Sequence, residues 1–117
     1  MNKKLRTGLI GGGLNSAVGL AHLSALRMDG LYEISECYFS PDKDENEASH
    51  EYYGYSFKDH PHSMKSWLDQ NINNLDLIIL LSPSTLHAEH LELLLDYEVN
   101  ILTEKPIVCS IDELKNL

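Results

Sequence analysis

Short apolar runs alternate along the chain with longer segments in which apolar residues recur every three or four positions. The runs predict strands covered on both faces, and the recurring pattern predicts helices that bury one face. The predicted strands are 5–10, 32–40, 77–81 and 99–102, and the predicted helices are 17–28, 43–53, 62–71 and 86–97. Strands that alternate with helices indicate an α/β fold with a doubly wound parallel sheet.

Four segments have weaker patterns. Residues 55–57 are a candidate for a short edge strand, and residues 71–74 form a loop by composition. The helix at 43–53 is polar enough to be solvated, and Ser110 with Glu113 has the capping-box spacing that opens a further helix. No repeat or linker interrupts the pattern, so we expect one domain over residues 1–117.

Charge and cysteine content exclude several classes of protein. Acidic residues outnumber basic residues by 18 to 9, and no basic cluster exceeds Lys3-Lys4, which argues against nucleic acid and anionic membranes as partners. The amino-terminal residues lack the apolar length of a signal peptide, so we expect a cytoplasmic protein. Cys37 and Cys109 are expected to be buried or half-buried free thiols.

The turn after the first predicted strand contains Gly11, Gly12 and Gly13 and leads into a helix. In this context the glycines let backbone N–H groups approach a pyrophosphate at the positive end of the helix. The dinucleotide fingerprint expects a third glycine at position 16, where Ser16 can instead cap the helix and contact phosphate. A turn without a ligand is the alternative, whereas a kinase-type P-loop lacks its Gly-Lys-Ser/Thr.

The end of the second predicted strand bears on the choice between NAD and NADP. An acidic residue at this position hydrogen-bonds the ribose in NAD-binding domains, whereas a 2′-phosphate needs room and usually a basic residue. Asp42 therefore favours NAD, whereas Ser40 with Lys43 is compatible with NADP, and a plain polar turn is the alternative. The predicted cofactor is NAD or NADP, with NAD preferred.

His87 and His90 have the i, i+3 spacing of neighbours on a helix surface. No cysteine or carboxylate pattern completes a metal site with them, so we expect no metal ion.

Three segments resemble the Gfo/Idh/MocA (glucose–fructose oxidoreductase/inositol dehydrogenase) family: residues 8–22, residues 82–87 and Glu104-Lys105-Pro106. Their order and spacing match that family across nearly the whole chain, and the last segment is the most specific. A subgroup of the family has three glycines, a serine and a histidine placed like Ser16 and His22. Many members have asparagine where this chain has Ser84.

The resemblance implies a Rossmann NAD(P)-binding domain of an oxidoreductase. Such an enzyme transfers a hydride between the nicotinamide and a hydroxyl or ketone carbon of a sugar, nucleotide sugar or cyclitol. It implies that Lys105 lies beside the nicotinamide and assists proton transfer. Together with the residues considered above, the predicted cofactor-binding residues are Gly11, Gly13, Leu14, Asn15, Ser16, Ser40, Asp42, Ser82, Pro83, Ser84, His87 and Glu104.

The resemblance also implies a carboxy-terminal α/β domain that binds a sugar-like small molecule. We therefore expect these 117 residues to be the first part of a longer protein, able to bind dinucleotide but not to turn over substrate alone. A homo-oligomer is compatible with the resemblance. The alternatives are a non-catalytic NAD(P) sensor and a methyltransferase, neither of which needs Glu104-Lys105-Pro106.

Overall fold

The structure, a computed structural model, describes residues 3–117 as a four-stranded sheet flanked by helices. The strands are β1 (Leu5–Gly11), β2 (Tyr32–Tyr38), β3 (Leu77–Leu81) and β4 (Asn100–Thr103). The helices are α1 (Gly19–Arg27), α2 (Lys43–Tyr53), α3 (Met64–Asn71), α4 (His87–Leu94) and α5 (Ile111–Lys115). The predicted doubly wound α/β fold is confirmed, and residues 1 and 2 of the predicted domain lie outside the described residues.

All neighbouring strands of the sheet are parallel, in the order β2-β1-β3-β4. The chain passes from β1 to β2 at one edge, and β3 and β4 then lie on the other side of β1. The direction of winding therefore reverses between β1 and β3. Open α/β sheets bind ligands in the crevice that this reversal opens at the carboxyl ends of the strands.

Apolar side chains are buried on both faces of the sheet, which explains the uninterrupted apolar run in β3. One cluster, on the face covered by α3 and α4, contains Ile10, Tyr38, Trp67, Leu68, Leu75, Ile78, Leu80, Leu91 and Leu94. The other, on the face covered by α1, contains Leu9, Leu23, Leu26, Cys37, Phe39, Ile79 and Leu81. None of the helices within residues 3–117 is long and apolar enough to cross a membrane.

Helix α2 buries polar side chains, so the prediction of a solvated helix is wrong. Asn46 Oδ1 accepts a hydrogen bond from the amide of Phe39 at 2.9 Å, and Ser49 Oγ accepts one from the amide of Leu14 at 3.1 Å. His50 Nδ1 lies 2.7 Å from the carbonyl oxygen of Asn46. The inner face of α2 therefore packs through hydrogen bonds that satisfy the backbone of two loops.

Three further expectations are corrected by the structure. Residues 55–57 form no strand, and the loop predicted at 71–74 contains a 3-10 turn at Ile72–Asn74. Cys109 is exposed rather than buried, whereas Cys37 is buried and that burial raises the pKa of its thiol. The helix at Ser110 is capped as predicted, because the Ser110 hydroxyl accepts a hydrogen bond from the amide of Glu113 at 3.1 Å.

Candidate functional site

A cleft of about 380 Å³ lies at the carboxyl ends of the strands. Its walls are the β1–α1 turn, the residue after β2, the first turn of α2, the β3–α4 loop and the segment after β4. Its volume and its position are those of a small-molecule site in an open α/β sheet. The predicted site residues that line it are Gly11, Gly13, Asn15, Ser16, Ser82, Pro83, Ser84, His87, Glu104 and Lys105.

Seven other lining residues were not among the predicted cofactor-binding and catalytic residues: Gly12, Ala17, Val18, Phe39, Glu45, Leu81 and Pro106. Three predicted residues, Leu14, Ser40 and Asp42, do not line the cleft. A larger hollow of about 780 Å³ lies beside the exposed edge of β2, away from the glycine turn. Position relative to the strand ends, rather than volume, therefore marks the cleft as the candidate site.

The glycine turn lies directly against the β3–α4 loop. Gly11 and Gly12 both have φ of 79°, a left-handed conformation that favours glycine. A Cβ at Gly11 would overlap the backbone of Ser82. The turn therefore requires glycine for its conformation and for its close approach to the loop that follows β3.

The third glycine of the fingerprint is Gly19 rather than a residue at position 16. A Cβ at Gly19 would overlap the carbonyl oxygen of Gly12, so its missing side chain lets α1 approach the turn. Ser16 lies in the loop before the helix, where its hydroxyl accepts hydrogen bonds from the amides of Val18 at 3.2 Å and Gly19 at 3.1 Å. The N-cap of α1 is Val18 rather than Ser16, so the predicted capping by Ser16 is wrong, and Ser16 instead supports the loop before the helix. The only sign of this role in the sequence was that Gly19 is the next glycine after the turn.

The first turn of α2 presents Glu45 to the cleft. The carboxylate of Asp42 accepts a hydrogen bond from the Glu45 amide at 3.0 Å, so Asp42 is the N-cap of α2. The buried Ser40 hydroxyl donates to Glu45 Oε2 at 3.1 Å. Glu45 Oε1 accepts from Asn15 Nδ2 at 3.1 Å. Glu45 thus links α2 to the loop that follows the glycine turn.

Leu14 contributes its backbone to this region rather than its side chain. The side chain is exposed, and the amide donates to Ser49 Oγ at 3.1 Å. Leu14 therefore anchors the loop to α2.

The segment after β4 is held by His22. His22 Nε2 lies 2.6 Å from Glu104 Oε2, and this hydrogen bond, with a smaller contribution from the Lys105 amide, holds the pKa of Glu104 below its usual range. The Glu104 amide donates to the Leu80 carbonyl at 3.0 Å. Lys105 is exposed, forms a cis peptide bond with Pro106, and has no ion pair through its ammonium group with any of residues 3–117.

His87 connects the β3–α4 loop to the same segment. Its side chain is 1% exposed, with Nδ1 at 2.7 Å from the Pro106 carbonyl oxygen and Nε2 at 2.8 Å from the Ser82 carbonyl oxygen. His90 Nδ1 lies 2.8 Å from Ser82 Oγ, and burial lowers the pKa of His90. Both ring nitrogens of His87 are thus occupied by the protein backbone. Within residues 3–117, no three histidine, cysteine or acidic side chains form a group that could hold a metal ion.

Comparison with protein families identifies the chain. The model of the oxidoreductase family with an NAD-binding Rossmann fold matches residues 5–117. The chain belongs to the Gfo/Idh/MocA family. The resemblance carried by the three sequence segments is therefore confirmed. No curated protein matches the chain.

Solved structures share the fold of this Gfo/Idh/MocA domain. An oxidoreductase from Sinorhizobium meliloti has 22% identity and a TM-score of 0.86, with 98% of this chain and 33% of that chain covered. An inositol dehydrogenase homolog from Azotobacter vinelandii, complexed with NAD+, has 18% identity and a TM-score of 0.85, with coverage of 99% and 31%. A mutant 3-ketoreductase from Actinomadura kijaniata, in complex with TDP-benzene and NADP, has 21% identity and a TM-score of 0.74, with coverage of 97% and 34%. The chain thus spans about a third of each structure.

The residues of the cleft fit the NAD-type cofactor that Gfo/Idh/MocA membership implies. The glycine turn and the hydroxyls of Ser16 and Ser84 suit a pyrophosphate, because hydroxyls and backbone N–H groups donate to phosphate oxygens. Glu45 at one wall suits ribose hydroxyls. The donor and acceptor chemistry of the cleft therefore matches the different parts of a dinucleotide.

Proposed function

We propose that this chain is the cofactor-binding domain of an NAD(P)-dependent oxidoreductase that acts on a hydroxyl or ketone carbon of a sugar-like molecule. The observation that carries the proposal is that one cleft combines the glycine turn, the acidic Glu45 and Lys105, whose ammonium has no ion pair within residues 3–117. Membership of an NAD-binding oxidoreductase family supports it. A sensor of NAD(P) would have no use for a lysine left without an ion pair beside the glycine turn.

A bound nicotinamide supplies or accepts a hydride at its ring carbon C4. Lys105 would move the accompanying proton: its amine takes the proton of a substrate hydroxyl during oxidation, and its ammonium returns a proton to the oxygen during reduction. Glu104 holds the Lys105 backbone in place through the hydrogen bond to its amide at 3.3 Å. The glycine turn and the start of α1 would bind the pyrophosphate.

The remaining parts of the proposal concern the whole protein. A second α/β domain would supply the substrate pocket, because this chain spans about a third of the solved relatives. Inositol is the kind of polyol expected, since the Azotobacter structure is of an inositol dehydrogenase homolog. Cytoplasmic location and a homo-oligomer stay predictions from the sequence.

Nucleotide titration tests the cofactor part of the proposal. The chain is titrated with NAD, NADH, NADP and NADPH while thermal unfolding and calorimetric heat are followed. A ligand that binds only the folded state at 100 times its Kd adds about 2.7 kcal/mol of stability. We expect this stabilisation from NAD and NADH. A folded chain that responds to none of the four nucleotides would overturn the proposal.

Substitution of Lys105 tests the catalytic part. In the whole protein, assayed with sugars and cyclitols, Lys105→Ala is expected to lower kcat by about 100-fold or more, because general acid–base catalysis contributes that much. Stabilisation by the nucleotide is expected to persist in this variant. Lys115→Ala, which removes a lysine outside the cleft, is the matched control. Equal kcat values for the two variants would remove Lys105 from the mechanism.

A further inference from the structure

The charged side chains of the cleft are unevenly distributed. Those among the lining residues are Glu45, Glu104 and Lys105. Glu104 and Lys105 both belong to the segment after β4, and Glu104 is paired with His22. Glu45 is therefore the only charged side chain that the first turn of α2 and the end of β2 present to the cleft.

Glu45 is held in a defined position. Its Oε2 accepts from the Ser40 hydroxyl and its Oε1 from Asn15 Nδ2, both at 3.1 Å. A carboxylate has about four acceptor sites, so roughly two remain for a ligand.

The basic residue that the sequence offered for a 2′-phosphate does not reach the cleft. Lys43 is exposed and lines a separate hollow together with Glu47 and residues 57–62. Within residues 3–117, Lys105 is the one basic residue among those that line the cleft, and it belongs to the segment after β4. A phosphate near Glu45 would therefore meet a carboxylate without a compensating cation.

We propose that Glu45 selects NAD over NADP, by accepting hydrogen bonds from the hydroxyls of the adenosine ribose and by repelling a 2′-phosphate. This inference rests on the proposed cofactor-binding function and assigns its specificity to a residue on α2 rather than to Asp42, whose carboxylate caps the helix. A carboxylate is the usual acceptor for the two ribose hydroxyls. Ser40 and Asn15 act as positioning residues that orient it.

The test compares Kd values of NADH and NADPH for the unmodified chain and for Glu45→Gln. We expect NADH to bind at least 10-fold more tightly than NADPH to the unmodified chain. In Glu45→Gln the ratio is expected to fall about 10-fold, mainly because NADPH binds more tightly once the negative charge is removed. Glu45→Lys is expected to reverse the preference.

Glu47→Gln is the matched control. It removes the same charge from an exposed position on the same helix, outside the cleft, and is expected to leave the ratio unchanged. Thermal unfolding of each variant without nucleotide verifies folding. Equal affinity of the unmodified chain for NADH and NADPH, or an equal effect of Glu45→Gln and Glu47→Gln, would overturn the inference while leaving the cofactor proposal intact. Absence of binding by any nucleotide would overturn both.

Discussion

The two ends of the parallel sheet differ in whether a basic side chain is paired with an acidic one. At the amino end, Asp76 accepts hydrogen bonds from the Arg6 amide at 2.8 Å, from Nε at 3.1 Å and from Nη2 at 3.0 Å. The Asp76 amide in turn donates to the Arg6 carbonyl at 2.7 Å. At the carboxyl end, the ammonium of Lys105 has no ion pair with any of the described residues.

This difference separates residues that complete the fold from residues that are left for a ligand. Arg6 and Asp76 satisfy one another and join the starts of β1 and β3. The ammonium of Lys105, and the remaining acceptor sites of Glu45, have no partner within residues 3–117. Substitutions at the amino end should therefore change stability alone, whereas those at the carboxyl end should change nucleotide binding as well.

The largest effect is expected from Gly19→Ala at the carboxyl end. The added Cβ overlaps the Gly12 carbonyl and forces α1 away from the glycine turn. Overpacking against a rigid backbone costs up to about 3 kcal/mol, which we expect in the free energy of unfolding measured with urea. Binding of NADH, followed by calorimetry, should be lost.

Gly54→Ala is the control for this prediction. Gly54 also has positive φ, at 83°, but a Cβ there meets nothing within 4 Å. The expected cost is about 1 kcal/mol of backbone strain, with unchanged NADH affinity. If both variants bound NADH equally well, the close approach of α1 to the turn would not be needed for the site.

A smaller loss of stability and of NADH affinity is expected from His87→Leu, because this substitution separates the two loops that His87 connects. The carbonyl oxygens of Ser82 and Pro106 lose the ring nitrogens that they contact, and an unsatisfied buried polar group costs about 1–3 kcal/mol. We expect the free energy of unfolding measured with urea to fall by about 2 kcal/mol and NADH to bind more weakly. His90→Leu, on the same helix, loses one contact to a hydroxyl and should cost about 1 kcal/mol. Equal losses would contradict a connecting role for His87.

The sheet could be predicted from the sequence because its signal is local. The apolar run 77–81 becomes β3 with the predicted bounds, since burial on both faces leaves an uninterrupted pattern. The sequence predicted helix α2 with its observed bounds, but it wrongly predicted that the helix is solvated. Buried Asn46 and Ser49 are indistinguishable in sequence from solvated residues, because hydrogen bonds to loop amides replace water.

The candidate site was predictable where its residues follow strands directly. The glycine turn, the loop after β3 and Glu104-Lys105-Pro106 all line the cleft for this reason. Glu45 was missed because it faces the cleft from inside a helix rather than from the end of a strand. The contact between His22 and Glu104 joins residues 82 positions apart, and no local pattern encodes such a pair.

Asp76→Asn tests the amino end, where stability should fall without any change in NADH affinity. The hydrogen bonds from Arg6 hold the pKa of Asp76 down at about 2. Since a lowered pKa means that the ionised form stabilises the fold, the contribution is complete above about pH 4 and is lost as the pH falls through 2. Urea unfolding should therefore show a less stable variant at pH 6 and a difference that narrows as the pH falls through 2.

Asp59→Asn is the control for the amino end, because Asp59 is exposed and accepts no hydrogen bond from residues 3–117. Its stability should match that of the unmodified chain across this pH range. A weaker NADH affinity in Asp76→Asn would break the separation between the two ends of the sheet.

The smallest effect is expected from Glu104→Gln, which weakens the contact with His22 at the carboxyl end. The lowered pKa of Glu104 means that the carboxylate stabilises this segment above about pH 4, and that the effect is lost as the pH falls through the lowered pKa. At pH 7 the Lys105 amide, which donates to Glu104 Oε1, should exchange its hydrogen several-fold faster, and NADH affinity should fall a few-fold. Glu98→Gln, at an exposed position outside the cleft, should change neither measurement. A global loss of stability without faster exchange at Lys105 would instead place Glu104 among the residues that complete the fold.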